Sequence, residues 1–365
     1  MIPQGYKHTE IGIIPQEWHI KTLGAICDNI CSGKNKNKSL SGNYPVYGST
    51  GIIGYTSEFV YNKPTILVAR VGANAGLINK VDGCFDVSDN TLIIDCKRDV
   101  NFNFLYELLQ FTNFNKFVFG SGQPLITAGL LKSIRIPVPP VEEQRKIAEI
   151  LGVWDKAIEL QARLVDKLEL RKRALMQRLL TGRLRLPGFS NPWQKVKLGD
   201  ICKITTGSLN ANAMCENGIY PFFTCAKEVY KINVYAFDTE ALLISGNGEY
   251  VGYIHYCKGR FNAYQRTYVL DTFDADVFFL KYNLQYHLPK RILKTKSSGN
   301  TPYIVMDTLT DMELIMPVIA EQTAIADVLS TADKEIEIAK AKLAAYRTQK
   351  RGLMQQLLTG KKQVK

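Results

Sequence analysis

The 365-residue chain has no run of about 18 apolar residues, so no segment reads as a hydrophobic membrane-spanning helix. Its opening, MIPQGYKHTE, also lacks the apolar centre of a secretory signal. The expectation is a cytoplasmic protein with no membrane partner. Histidine is scarce, with only His8, His19, His255 and His287. The cysteines are Cys27, Cys31, Cys84, Cys96, Cys202, Cys215, Cys225 and Cys257; none forms a C-x-x-C pair or stands at zinc-like spacing from a histidine. That pattern argues against a metal centre and predicts reduced thiols, mostly in cores.

The motifs of nucleotide and cofactor chemistry are missing too. RVGANAG and GNGEYVG lack the G-x-G-x-x-G spacing and do not open a helical pattern, and LTGKK near the C-terminus lacks the first glycine and the Ser/Thr of a P-loop. SNPW at 190–193 faintly resembles the N-P-P-Y corner of adenine methyltransferases, but without the second proline it reads as a turn. Scattered carboxylates supply no triad. The residues point to recognition rather than catalysis, with no catalytic residue, no metal and no bound cofactor expected.

What the chain does have is a repeat of itself. LMQRLLTG at 175–182 returns as LMQQLLTG at 353–360, and at a shift of 178 the whole of Glu143–Gly182 lies on Glu321–Gly360 without a gap. Upstream the match continues at a slightly smaller shift: WHIKTLGAICDNICSG from Trp18 answers WQKVKLGDICKITTG from Trp193, and ILVARVGANAGLI from Ile66 answers LLISGNGEYVGYI from Leu242. The chain is a tandem duplication, each unit being a variable part of about 140 residues followed by a tail of about 40. At 46% hydrophobic and 22% charged residues, each half can bury a core of its own.

In the first tail, Ile147, Leu151, Trp154, Ile158, Gln161, Val165, Leu168, Lys172, Leu175 and Leu179 follow by alternate steps of four and three. In the second, Ile325, Leu329, Ala332, Ile336, Ala339, Leu343, Tyr346, Lys350, Leu353 and Leu357 hold the same places. Sustained over nearly five heptads, this predicts two coiled-coil helices of about 55–60 Å that can pair with each other. The polar seam positions Gln161, Lys172 and Lys350 should cost stability while restricting register. Pro139, Pro140 and Pro317 stop strand-like runs just before the helices, and Gly182 and Gly360 end them as C-cap glycines would. Acids gather early and bases late in the second tail: Glu321–Ile338 has five acids and one base, and Lys340 onward has eight bases and no acid. The helix dipole favours that order, and antiparallel pairing would set acidic beside basic halves.

The variable parts read as mixed α and β. TILVARVG, TLIIDCK, ALLISGNG and RTYVLD are strand-like runs bounded by turn residues, while FNFLYELLQFTNFNKF and DVFFLKYNLQYHLPKRIL are helical. The net charge of +12 suggests a polyanionic partner, yet neither variable part is strongly basic overall. Clustering carries the signal. Lys34, Lys36 and Lys38 share a Gly/Ser/Asn-rich loop, and Lys290, Arg291, Lys294 and Lys296 crowd PKRILKTKSSGN. Single surface lysines of this kind are usually only solvated.

GYKHTEIGIIPQEW, LGAIC, SGQPLITAGLLKSIRIPVPPVEEQRKIAEIL and the repeated LMQRLLTG together resemble the specificity (S) subunits of type I restriction-modification systems. The resemblance covers the whole chain. The Pro-x-x-x-Glu-Gln-x-x-Ile-Ala pattern before a long helix is present twice, with PVIAEQTAIA departing slightly from PPVEEQRKIA. It implies an α+β chain with a pseudo-twofold internal repeat: a first target recognition domain over 1–140, a coiled-coil helix over 141–183, a second recognition domain over 184–318 and a second helix over 319–365. The two helices would pair antiparallel and hold two methyltransferase (M) subunits, to which restriction (R) subunits join. S-adenosylmethionine, Mg and ATP would belong to those partners alone.

Each recognition domain would read half of a split double-stranded DNA target. Arginine contacts guanine in two places, asparagine or glutamine contacts adenine, and lysine mainly phosphate. The candidate readers are therefore Lys34, Lys36, Lys38, Arg70, Asn74 and Gln123 in the first unit, and Asn247, Arg260, Gln265, Arg266, Lys294 and Lys296 in the second. Two other classes stay open: a coiled-coil scaffold without DNA contact, which predicts no salt-dependent duplex binding, and a stand-alone DNA methyltransferase, which the missing motifs disfavour.

Overall fold

The computed structural model describes every residue except 1, 37, 38, 40, 121–123, 296–302 and 365. The chain forms two compact units, one of residues 1–162 with 341–365 and the other of residues 163–340. Each unit contains one α/β lobe, the N-terminal half of the long helix that follows it, and the C-terminal half of the other long helix.

The two tails are the helices Val141–Leu179 and Ile319–Leu357, 39 residues each, or about 58 Å at 1.5 Å per residue. Within the first unit, Trp154 packs edge-on against Tyr346 with ring centroids 5.7 Å apart, and Lys350 reaches Asp155. Within the second, Lys172 meets Asp333, Arg171 meets Glu335, and Lys340 lies 2.6 Å from Glu169. In the second unit Glu169, Arg171 and Lys172 meet residues 340, 335 and 333 in turn, partners falling in number along one helix as they rise along the other, so the pairing is antiparallel. All the apolar seam positions are buried or half-buried. At the seam's ends Ile147, Leu151 and Leu357 merge with the first lobe's core, and Leu179, Ile325 and Leu329 with the second's. The seam lysines are not a plain cost: Lys172 and Lys350 each find an aspartate on the facing helix.

Each helix ends at a left-handed glycine whose N–H bonds back to the last turn, Gly182 to the Leu179 carbonyl and Gly360 to that of Leu357. Leu184 donates to the carbonyl of Arg178 and Lys362 to that of Gln356, with Gly182 at φ +68° and Gly360 at φ +72°. These caps lie against the repeated tryptophans. A Cβ on Gly182 would stand 3.7 Å from the Trp193 ring, and one on Gly360 would stand 2.3 Å from Cδ of Pro15 and 3.4 Å from Trp18. The repeated LLTG is therefore the place where a helix end docks on the opening of a lobe.

The lobes share one plan. A short strand after the tryptophan pairs with the strand just before the long helix: His19–Thr22 with Arg135–Val138, and Gln194–Lys197 with Glu313–Met316. In the second lobe, strands Lys203–Thr206, Thr267–Asp271, Phe237–Ser245, Ile254–Ala263, Tyr220–Phe223 and Tyr230–Ile232 form one six-stranded sheet in that order. The first lobe divides the equivalent strands into two four-stranded sheets. Pro64 stands where the second lobe has Glu240, in the middle of its nine-residue strand. Proline has no N–H for the ladder, and the strand breaks into Tyr61–Asn62 and Thr65–Ala69. The helices Phe102–Thr112 and Val277–Thr295 cover the sheets.

Two expectations need correcting. Among the described residues all eight cysteines are free, but only Cys27 and Cys202 are buried and the rest are half-buried: Cys31, Cys84, Cys96 and Cys257 on strands, and Cys215 and Cys225 in the segments flanking Tyr220–Phe223. Burial pushes the Cys27 and Cys202 thiols up to about 12, so both are unreactive. SNPW is not a turn: the turn falls at Leu186–Phe189, where Phe189 N–H meets the Leu186 carbonyl, and residues 190–193 run on as coil into the strand at Gln194.

Candidate nucleic-acid interface

The Glu-Gln pair that opens each long helix fastens the helix to its own lobe. Glu143, buried, accepts from Trp18 Nε1 at 2.8 Å and from the backbone N–H of Val364. Gln144 accepts from Asn101 N–H and donates to the Pro139 carbonyl, and Asn101 caps the lobe helix by accepting from Phe104 N–H. Glu321, Gln322, Asp276 and Phe279 repeat the arrangement. The motif is thus a buried polar joint in which every member has a partner, as burial requires.

Beyond this joint, each lobe gathers loops at one end of its sheet. In the first lobe the loop after strand Thr65–Ala69 is held by Ile126 N–H to the Arg70 carbonyl, Gly72 N–H to the Pro124 carbonyl and a bridge between Val71 and Leu125. Arg70 N–H meets the Asn90 carbonyl, Arg70 Nη1 donates to the Asp89 carbonyl at 3.2 Å, and Asn74 Nδ2 donates to the Ser49 carbonyl at 3.1 Å. Ser49 Oγ bonds the Asn90 carbonyl, and Asn35 bridges to Ser88. Arg70, Asn74, Lys34 and Lys36 therefore converge around the turn Ser88–Asn90, the two lysines and Asn74 exposed. Arg70 Nε, Ser88 Oγ and Thr91 Oγ1 are buried there with no hydrogen-bond partner among the described residues.

The second lobe builds the same cluster from different side chains. Ile304 N–H meets the Gly246 carbonyl, Gly246 N–H meets the Arg266 carbonyl, and Asn247 bridges to Tyr303. Gln265 N–H meets the Leu209 carbonyl, and its side chain donates to Asn210 at 3.2 Å. Asn247, Gln265 and Arg266 thus share one loop cluster, with Gln265 and Arg266 exposed. At a shift of 176, Asp89 and Asn90 of the first lobe correspond to Gln265 and Arg266 of the second, and Arg70 to Gly246.

Arg260 stands apart. It lies on the strand Ile254–Ala263, 3.0 Å from Asp238 and over the Tyr235 ring, so a base contact would first have to break that pair. Lys38, Gln123 and Lys296 lie outside the described residues, as does the side chain of Lys294. Sequence reasoning passed over Ser49, Asp89, Asn90, Asn210 and Tyr303, which frame the two clusters. Aligning the turn SDN at 88–90 with YQR at 264–266 would have raised the first lobe's turn beside the second's.

The histidines give no sign of a reactive centre. His255 is packed against Phe223 and Tyr253 with Nε2 3.0 Å from the Ala226 carbonyl, and burial lowers its pKa. Tyr256 donates to Glu240 at 2.6 Å, a bond that pushes its hydroxyl up to about 12. Among the described residues no group of His, Cys, Asp and Glu could hold a metal ion, and no helix is long and apolar enough to cross a membrane.

A duplicated α/β lobe, a paired set of long helices and two unlike loop clusters on one scaffold define a two-headed recognition protein. Residues 15–170 and 190–345 each match the type I restriction modification DNA specificity domain, and the chain belongs to that family. It is 42% identical over 151 residues to the type I restriction enzyme EcoDI specificity subunit of Escherichia coli, a match covering 41% of this chain and 33% of that subunit. The MjaVIII specificity subunit of Methanocaldococcus jannaschii is 26% identical over 96% of this chain and 94% of its own length. A type I restriction-modification S subunit from M. genitalium has the same fold, with a TM-score of 0.68 at 18% identity over 93% of this chain and 96% of that one.

Proposed function

We propose that the chain reads a bipartite double-stranded DNA target, one half with each loop cluster, and holds the methyltransferase subunits of a type I restriction-modification complex on its paired helices. The observation that carries this is the pair of clusters: one backbone scaffold, kept by the same hydrogen bonds, presents Arg70, Asp89 and Asn90 in one lobe and Gly246, Gln265 and Arg266 in the other. A scaffold held constant while its projecting side chains change is what reading two unlike sequences requires.

In this reading Arg266 and Gln265 contact bases, Arg70 and Asn74 contact bases through the donors their loop bonds leave over, and Lys34 and Lys36 contact phosphate. Lys38, Gln123, Lys294 and Lys296 keep their proposed DNA-binding roles, and Arg260 serves only if its pair with Asp238 opens. Segments 1–140 and 184–318 recognise, while 141–183 and 319–365 hold the partners and fix the separation of the half-sites. Methyl transfer, with S-adenosylmethionine, and any ATP- and Mg-dependent cleavage belong to the M and R subunits, in the cytoplasm.

The test is to produce the chain with its M subunit and map methylated bases for the wild type and Arg266→Ala. Relaxed specificity at a single position of one half-site is expected. Equal weakening at every site, with a shallower salt dependence, would make Arg266 a phosphate contact, and no co-purifying M subunit with no salt-dependent duplex binding would overturn the whole reading.

A further inference from the structure

The two units set the same half-buried seam pair against the lobe helix but surround it differently. In the second, Lys172 and Asp333 are joined by Tyr282 of the lobe helix, whose hydroxyl donates to Asp333 Oδ2 at 2.7 Å. That set holds one ammonium, one carboxylate and a neutral phenol, so its own charges cancel, and the half-buried Lys281 of the same helix, which interacts with Asp333 and Lys172 and whose pKa burial lowers, adds a cation and no second carboxylate. In the first unit, Lys350 Nζ stands 2.6 Å from Asp155 Oδ1 and 2.8 Å from Glu107 Oε2. Glu107 takes the place of Tyr282, on the helix Phe102–Thr112. It is only 3% exposed. Fully ionised, this set carries two negative charges against one positive, and a buried uncompensated charge is costly.

We propose that the Glu107–Asp155–Lys350 cluster takes up one proton from solvent near neutral pH, making the first lobe's hold on its helix pair tighten as pH falls, while the Tyr282–Asp333–Lys172 cluster of the second lobe holds without any proton.

The surroundings do not remove the excess charge. Tyr106 on the same helix hydrogen-bonds Gln110 and lies under Lys80 of the strand Ile78–Val81. Lys156 pairs with Glu159 on the first long helix, and Arg347 and Arg351 reach the rim from the second. All of these charged groups line an open cleft of about 1030 Å³, and Lys80, Lys156, Arg347 and Arg351 are exposed, where water and salt screen them. Burial and the neighbouring Asp155 outweigh Lys350 and push the Glu107 carboxyl from 4.5 up to about 7. The folded chain then binds a proton that the unfolded chain releases at about 4.5. The contribution of Glu107 to stability is greatest below about 4.5, is lost as pH rises from there towards about 7, and levels off above it.

Hydrogen exchange of the full chain, corrected for the intrinsic pH dependence of exchange, reads the two lobe helices separately. The amides of Phe102–Thr112 should lose protection by up to about tenfold per pH unit between about pH 5 and 7, and those of Val277–Thr295 should not. Glu107→Gln should flatten the first profile, and Tyr282→Glu should introduce a slope in the second. Equal slopes in both helices of the wild type, or a slope that survives Glu107→Gln, would overturn the proposal. If Glu107→Gln fails to fold, the wild-type series and Tyr282→Glu still decide: no slope in the first, or none gained in the second, would refute it.

Discussion

Glu143 and Glu321 occupy the same place in the repeat, yet their partners differ. Both accept the indole N–H of the lobe's tryptophan, but Glu321 also receives Arg185 through Nε at 2.7 Å and Nη2 at 2.8 Å, while among the described residues Glu143 receives a backbone N–H at Val364 instead. The position equivalent to Arg185 is Gln363. One unit closes its joint with a bidentate ion pair and the other with neutral donors. Duplication keeps the geometry that fastens helix to lobe, and leaves the charge at each joint free to drift.

The comparison predicts unequal responses to equal mutations. Glu321→Ala takes the acceptor from both Arg185 bonds and from the half-buried Trp193 indole, and the second unit should lose more stability in denaturant unfolding than the first unit loses on Glu143→Ala. Glu143→Ala should cost less, about 1–3 kcal/mol, as lost neutral hydrogen bonds do; equal losses would mean that the ion pair adds nothing. The helix caps give the next contrast. Both glycines lie at positive φ, so alanine costs about 1 kcal/mol at either, but Gly360→Ala also drives a Cβ into the Pro15 ring, a further loss of about 1–2 kcal/mol. Thermal unfolding that ranks Gly182→Ala as the more damaging would contradict this docking. Tyr282→Phe removes only the bond to Asp333 and should cost about 1 kcal/mol, measurable as a small shift in the denaturant midpoint. Its phenol titrates far above neutral because burial and Asp333 push it up, so that cost should not vary between pH 5 and 8.

The long helices were the most legible part of the sequence. Four-three spacing fixes a seam irrespective of its surroundings, so Ile147 to Leu179 and Ile325 to Leu357 could be placed by counting alone. Their antiparallel sense and the aspartates opposite Lys172 and Lys350 were only partly readable, because Asp155 and Asp333 lie just off the seam and become partners only once the register is set. The division of the first lobe's sheet falls where Pro64 breaks one strand and its neighbour is interrupted at residues 82–83, and the importance of Pro64 shows only beside Glu240. Loop clusters are harder still. Arg70, Asn74 and Arg266 could be picked by side-chain chemistry, but Ser49 and Asn90 come beside them through hydrogen bonds between segments distant in sequence. The pairing of Arg260 was hidden for the same reason: its contact with Asp238 forms across strands that composition cannot align.

If the paired helices set the distance between the two half-sites, lengthening them is the most direct test. One heptad inserted at matched positions in Val141–Leu179 and Ile319–Leu357 adds about 10.5 Å, or about three base pairs at 3.4 Å each. Mapping of methylated sites in the complex with its M subunit should then show the same two half-sites separated by a spacer about three base pairs longer. An unchanged spacer, or altered half-sites at the old spacing, would contradict the account.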